Sequence, residues 1–390
     1  MQIYLDNSAT TKICDEALDV YIRVSKNEFG NPSSLHDLGL CAEKEIEKAR
    51  REILASLRMK SGRVVFTASG TEANNLAIIG RAISKERYRR GAKVIISKGE
   101  HASVSESAKM LTSLGLEVVE ISTRGGVFNL EELQNALDDK CILVSVMLVN
   151  NETGAVYNIP EIARLIKAKC RDCLLHLDAT QGYLKIPFTK AGVGADFITI
   201  SSHKIEGPKG VGALVFDEDI IKARALSPII LGGGQEGGLR SGTENVPGIA
   251  AFGEAVRIGF SEMGTRVKYL EELREYLIEK ISTSDVLGEV SMTLPEMHAP
   301  HILNITLPSI KSETALHYLS SRGIYVSSGS ACSSNSGHKS SALLAYGRSA
   351  DEADSSLRIS LSHRNTQKEL DEFITTLNDA VATLTRIKKS

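Results

Sequence analysis

Neither sign of charge dominates this chain: 46 Lys and Arg stand against 48 Asp and Glu, a formal net charge of −2. There is no dense basic run, which argues against nucleic acid as a direct partner. No apolar run reaches membrane-spanning length, so no membrane partner is expected. The opening residues, Met1-Gln-Ile-Tyr-Leu-Asp6, hold no basic region followed by an apolar stretch, and no leader peptide is expected. Cysteine is sparse and scattered: Cys14, Cys41, Cys141, Cys170, Cys173 and Cys332. That dispersal disfavours a disulfide framework and implies reduced thiols in a cytoplasm. Repeats and low-complexity tracts are also missing. What is present is 390 residues, 42% hydrophobic and 24% charged, enough for two domains and a large core.

From residue 64 onward, short β-branched runs alternate with helical periodicity. Strands are expected at 64–67, 93–97, 117–121, 142–149, 174–178 and 197–201, with helices at 71–89, 102–114, 130–138 and 160–170 between them. This alternation predicts an α/β layer on a mostly parallel sheet. A further strand at 211–216 follows a tight turn and is expected to be antiparallel. The glycine-rich stretch 232–238 is too long to be one turn. A helix over 247–283 then leads to a smaller α+β unit. We place a large domain at 14–260 and a small one at 261–390, with residues 1–13 returning to it.

The stretch Ala195-Asp-Phe-Ile-Thr-Ile-Ser-Ser-His-Lys-Ile-Glu-Gly-Pro-Lys-Gly-Val-Gly212 organises the rest. A buried strand delivers Ser201, Ser202, His203 and Lys204 to its C-terminal end. A partly desolvated lysine beside hydroxyls and an imidazole suits Schiff-base chemistry next to a phosphate site. By itself the stretch favours a surface lysine, and the other parts of the chain reverse that. Ser69 and Glu72 have capping-box spacing, and Gly70 at that helix start would let a phosphate approach free N–H groups. Asp178 ends an apolar strand, where a carboxylate needs a cationic or hydrogen-bonding partner such as a protonated pyridine nitrogen. Thr71, His101, Asn151, Asp178, Gln181 and Lys204 all fall just beyond strands, on the edge where parallel sheets bind ligands. Together they point to pyridoxal 5′-phosphate. Cys332 lies among small polar residues, Ser327 to His338, which marks a reactive thiol on a loop. Cys170, Cys173 and His176 are discounted as a metal site, because strand alternation scatters them and no fourth ligand is evident. No metal is expected.

The chain strongly resembles the cysteine desulfurases, fold-type-I pyridoxal phosphate enzymes. The resemblance rests on Tyr4-Leu-Asp-Asn-Ser-Ala-Thr-Thr11, Gly30-Asn-Pro-Ser-Ser34, Ser69-Gly-Thr-Glu-Ala-Asn-Asn75, Asn150-Asn-Glu152, Asp178-Ala-Thr-Gln181, Ser201 to Gly210, Leu239-Arg-Ser-Gly-Thr243 and Ser328-Gly-Ser-Ala-Cys332. It implies a large domain with a mostly parallel seven-stranded sheet and a smaller α+β domain. It also implies that Lys204 binds the cofactor covalently, that Asp178 holds the ring nitrogen, and that His101 stacks on the ring and assists proton transfer. Gln181 would bond the phenolic oxygen, and Asn151 would line the cofactor. Gly70, Thr71, Ser201, Ser202 and His203 would hold the phosphate, with Thr243 from a second subunit of a homodimer. Arg358, with Asn31 and Asn151, would receive L-cysteine. Cys332 would take its sulfur as a persulfide for an acceptor protein, an iron–sulfur scaffold or a tRNA-thiolation enzyme. The loop resembles that of the long-loop housekeeping branch but lacks the apolar residues some scaffold-binding members carry. A selenocysteine lyase, an aminotransferase on the same fold, and a non-catalytic scaffold are the alternative readings.

Overall fold

The computed structural model describes residues 2–84, 91–307, 310–328 and 340–389. Its centre is a seven-stranded sheet, whose strands are numbered here in chain order. They are β1 (Arg63–Thr67), β2 (Lys93–Ser97), β3 (Glu117–Ile121), β4 (Cys141–Met147), β5 (Leu174–Asp178), β6 (Phe197–Ser201) and β7 (Gly212–Phe216). Their spatial order is β1-β7-β6-β5-β4-β2-β3. Only β7 runs antiparallel to its neighbours, against β1 and β6. The turn at Gly207 to Gly210 is too short for the crossover a parallel return would need. β2, β4 and β6 are buried at every residue, as expected of strands covered on both faces.

Helices α1 (Gly70–Ala82) and α2 (Ala102–Ser113) follow β1 and β2. The sequence pattern ran α1 on to residue 89; its helix ends at Ala82, and 85–90 lie outside the described residues. Helices Asp15–Asn27 and Asp37–Ser56 pack on the first half of α3 (Val246–Ser282). That crossing is close: a Cβ at Gly253 would stand 2.7 Å from the Cα of Ala49.

A second core gathers around the far half of α3, with Leu270, Leu273 and Leu277 packed among Leu303, Ile305, Leu357 and Phe373. Its sheet is antiparallel, in the order Ser327–Ser328, Ser356–Ser360, Ile302–Thr306, Ser291–Thr293. The N-terminal strand Ile3–Tyr4 pairs in parallel with Ile324–Tyr325, and Ile3 and Leu5 are buried in this second core. We propose that the two domains join within α3 near residue 260, where the helix runs unbroken from one core to the other.

Candidate active site

A cavity of about 420 Å³ opens at the C-terminal ends of β1, β2, β4, β5 and β6. The N-terminus of α1 forms one wall. Ser69 caps it, its Oγ accepting from Glu72 N at 3.2 Å, while Glu72 Oε2 accepts from Ala68 N at 2.9 Å. Glu72 is itself held by Arg240, Nε to Oε1 at 2.8 Å. A Cβ on Gly70 would stand 3.2 Å from Thr180 Oγ1 and 3.3 Å from Ser201 Cβ, so only glycine leaves this wall at backbone level. Ser201 Oγ and Ser202 Oγ are buried without a hydrogen-bond partner among the described residues. Unpaired buried hydroxyls beside a helix N-terminus suit an anion.

Asp178 sits deeper. Its Oδ2 accepts from Asn74 Nδ2 at 2.7 Å and its Oδ1 from Thr180 N at 2.9 Å, which satisfies a carboxylate that burial would otherwise penalise. Beneath it, the fully buried His176 lies between Ser145 Oγ at 2.8 Å and Thr199 Oγ1 at 3.0 Å, and burial drives its pKa down to about 4. His101 caps α2. Its Nδ1 accepts from Ser103 N at 3.2 Å, which leaves the proton of the neutral ring on Nε2. The ring opens onto the cavity while protein packs around it, and burial, helped by Lys204, lowers its pKa; Asp178 opposes this. Beside it, the wholly buried Glu100 is pushed up to about 8 by burial. Ser97 Oγ donates to Glu100, as does Met147 N at 2.7 Å, and these two bonds oppose the upward push of burial.

Lys204 closes the opposite wall. Its Nζ donates to the carbonyls of Ser8 and Ala9 at 2.5 and 2.8 Å, so the N-terminal segment positions it. Gln181 Nε2 donates to Ser8 O at 2.9 Å, and its Oε1 is buried without a partner among the described residues. His203, whose pKa burial takes down to about 4, places Nδ1 3.1 Å from Thr10 Oγ1. Arg358, from the small sheet, donates to Asp6 Oδ1 at 2.8 Å and Asn151 O at 3.1 Å. Its Nε is unpartnered among the described residues.

The cavity therefore brings together Gly70, Thr71, His101, Asn151, Asp178, Gln181, Ser201, His203, Lys204 and Arg358. Ser202 is buried just behind it. Asn31 does not reach the cavity: it is exposed, and its Oδ1 accepts from Ser33 N at 3.0 Å. Thr243 lines a separate cleft with Glu236 and Arg240. Cys332 lies outside the described residues. The sequence reading assigned no role to Asn74, Asp6 or the carbonyls of Ser8 and Ala9. Asn74 is one helical turn past Gly70, a spacing that puts both at one end of α1 and could have suggested it. The carbonyls carry no side-chain signal at all.

The aminotransferase class-V family model matches residues 3–373, and the chain belongs to that family. Within it, the similarity is to cysteine desulfurases. "Cysteine desulfurase IscS 1" of Archaeoglobus fulgidus is 38% identical over 98% of this chain and 97% of its own. A solved "NIFS-LIKE PROTEIN" superposes with a TM-score of 0.90 at 33% identity, covering 98% of this chain and all of the other. Another, "SspA in complex with cysteine", gives a TM-score of 0.77 at 29% identity, over 94% of this chain and all of the other.

Proposed function

We propose that this protein is a pyridoxal-phosphate-dependent cysteine desulfurase. It takes sulfur from L-cysteine onto Cys332 as a persulfide and leaves L-alanine. One observation carries the reading: a single cavity holds an anion cradle, a buried carboxylate and an amine. The residues fit the cofactor. The glycine-level wall at Gly70 and the unpaired hydroxyls of Ser201 and Ser202 would take a phosphate. Asp178, fixed by Asn74 and Thr180, would hold a protonated ring nitrogen, and the unpartnered Gln181 Oε1 would face a phenolic oxygen. When bound, pyridoxal phosphate supplies an electron sink for substrate carbanion chemistry.

The protein's own part is positioning and proton movement. Arg358, with an unsatisfied Nε, binds the substrate carboxylate. Lys204 takes the proton from the substrate α-carbon, and His101, neutral with its proton on Nε2, donates where negative charge develops. Cys332 attacks the substrate sulfur. Its persulfide then passes to an acceptor protein in iron–sulfur assembly or tRNA thiolation. The working form is a cytoplasmic homodimer, with Thr243 completing the partner's phosphate site. Incubation with L-cysteine should release alanine and, with a reductant, sulfide. Cys332→Ser should bind cysteine yet release alanine at no more than background rate, since a hydroxyl is a poor nucleophile toward sulfur. Undiminished alanine release by that variant would refute the role of Cys332.

A further inference from the structure

Beside Lys204 lies a second, smaller pocket that the proposed reaction does not use. Its volume is about 50 Å³, room for a water molecule. Lys204, Lys185 and His301 all line it. The Lys185 side chain is partly exposed along its length, but its Nζ is buried and has no hydrogen-bond partner among the described residues. The same holds for both ring nitrogens of His301. Glu206 is the carboxylate that lines the chamber, and it is already paired with Arg266 at 3.2 Å and Arg364 at 3.1 Å. Lys185 follows Leu184, whose φ of +58° is a conformation branched side chains adopt at a cost. An unpaired amine held inward by a strained turn is poor design for stability, and such costs concentrate at functional sites.

We propose that Lys185 is a positioning residue for Lys204: a buried amine that, in its uncharged form, accepts a proton from it across the chamber. This rests on Lys204 being the cofactor-binding lysine. An N–H bond of the Lys204 ammonium breaks, its electron pair stays on Lys204, and the proton forms an N–H bond on Lys185, directly or through one water. Nothing is oxidised or reduced. Lys204 then presents a free amine to the active-site cavity, the form that reacts with aldehydes and removes protons.

The electrostatics agree. Burial first, then the charge of Lys204, brings the Lys185 pKa down to about 7, with Arg358 lowering it further and Glu206 opposing. His301 is held neutral by burial and by Lys185 and Arg358; Arg266 adds a charge, and burial lowers the pKa of His363, the other histidine on this wall. Two cations facing one small chamber disfavour each other.

The test uses the holoenzyme and two variants, Lys185→Met and Lys185→Gln, with Lys204→Met as control. The first readout is spectroscopic: the rate at which Lys204 recaptures the cofactor after bound L-alanine is diluted away. Both Lys185 variants should slow recapture on the order of a hundredfold at neutral pH. They should lose the rise in rate through the neutral range that accompanies deprotonation of Lys185. kcat for alanine release should fall in step while KM for cysteine changes by no more than about twofold. The Met variant should unfold at a temperature no lower than the wild type, because an unpaired buried amine has been removed. Wild-type recapture with an unchanged pH profile in Lys185→Met would overturn the proposal. So would slowing confined to the Met variant together with a lowered melting temperature. A Lys204→Met holoenzyme with wild-type absorbance and recapture would instead sink the assignment of Lys204, and this proposal with it.

Discussion

At the scale of single residues, the site depends on groups whose charge is set by burial. Glu100 titrates near pH 8 in the fold, against about 4.5 in the unfolded chain. The native state therefore binds the extra proton between those values, and stability falls as pH rises through that window. Glu100→Gln mimics the protonated acid. It should match the wild type in denaturant midpoint at pH 4 and exceed it at pH 9. A variant less stable at both pH values would show that Glu100 is needed as a carboxylate. Asn74, itself uncharged, acts by stabilising a buried charge. Its amide donates to both Asp178 and Ser103, and Asn74→Ala leaves the Asp178 carboxylate one donor short. A hydrogen bond to a charged group contributes about 1.5–3 kcal/mol, so kcat/KM should drop about tenfold to a hundredfold. Faster cofactor loss on dialysis should accompany it, and a variant with wild-type cofactor retention would argue against this account.

At the scale of elements, the loop after β6 is clamped from two directions. Glu206, two residues beyond Lys204, pairs with Arg266 of α3 and with Arg364 near the C-terminal helix. It does so with a left-handed backbone, φ +65°. Glu206→Ala removes the buried anion and keeps the strain, and should cost about 2–4 kcal/mol, toward the lower side because Arg364 is partly exposed. Glu206→Gly loses the same pairs but relaxes the backbone, recovering about 1 kcal/mol. Chemical denaturation should rank wild type above Gly and Gly above Ala. The reverse order for the two variants would show that the backbone there is unstrained.

For the whole molecule, several large apolar side chains stand largely exposed among the described residues. Leu35 is fully exposed, Leu231 is 79% exposed and Phe29 67%. Apolar exposure of this kind marks interaction surfaces. The proposed homodimer should bury part of it and bring Thr243 to the partner's cradle. Sedimentation should give twice the chain mass, and Leu231→Asp should shift the protein toward monomer with loss of activity. A fully active monomer on dilution would refute the homodimer.

The order of strands and helices, the antiparallel return of β7, and the strand-end placement of Thr71, His101, Asp178 and Lys204 were legible in the sequence. Each follows from local rules: β-branched runs, capping spacing and glycine-forced turns act over a few residues. Tertiary structure alone decided which distant groups share a wall. Ser8 and Ala9 carbonyls hold Lys204 from nearly two hundred residues away, and Asp6 reaches Arg358 across an even longer separation. It also decided the buried neighbours of Lys185, which reads in sequence as an ordinary lysine before Ile186 and Pro187. Burial is a property of the whole packed chain, and a pKa follows burial more than it follows residue type.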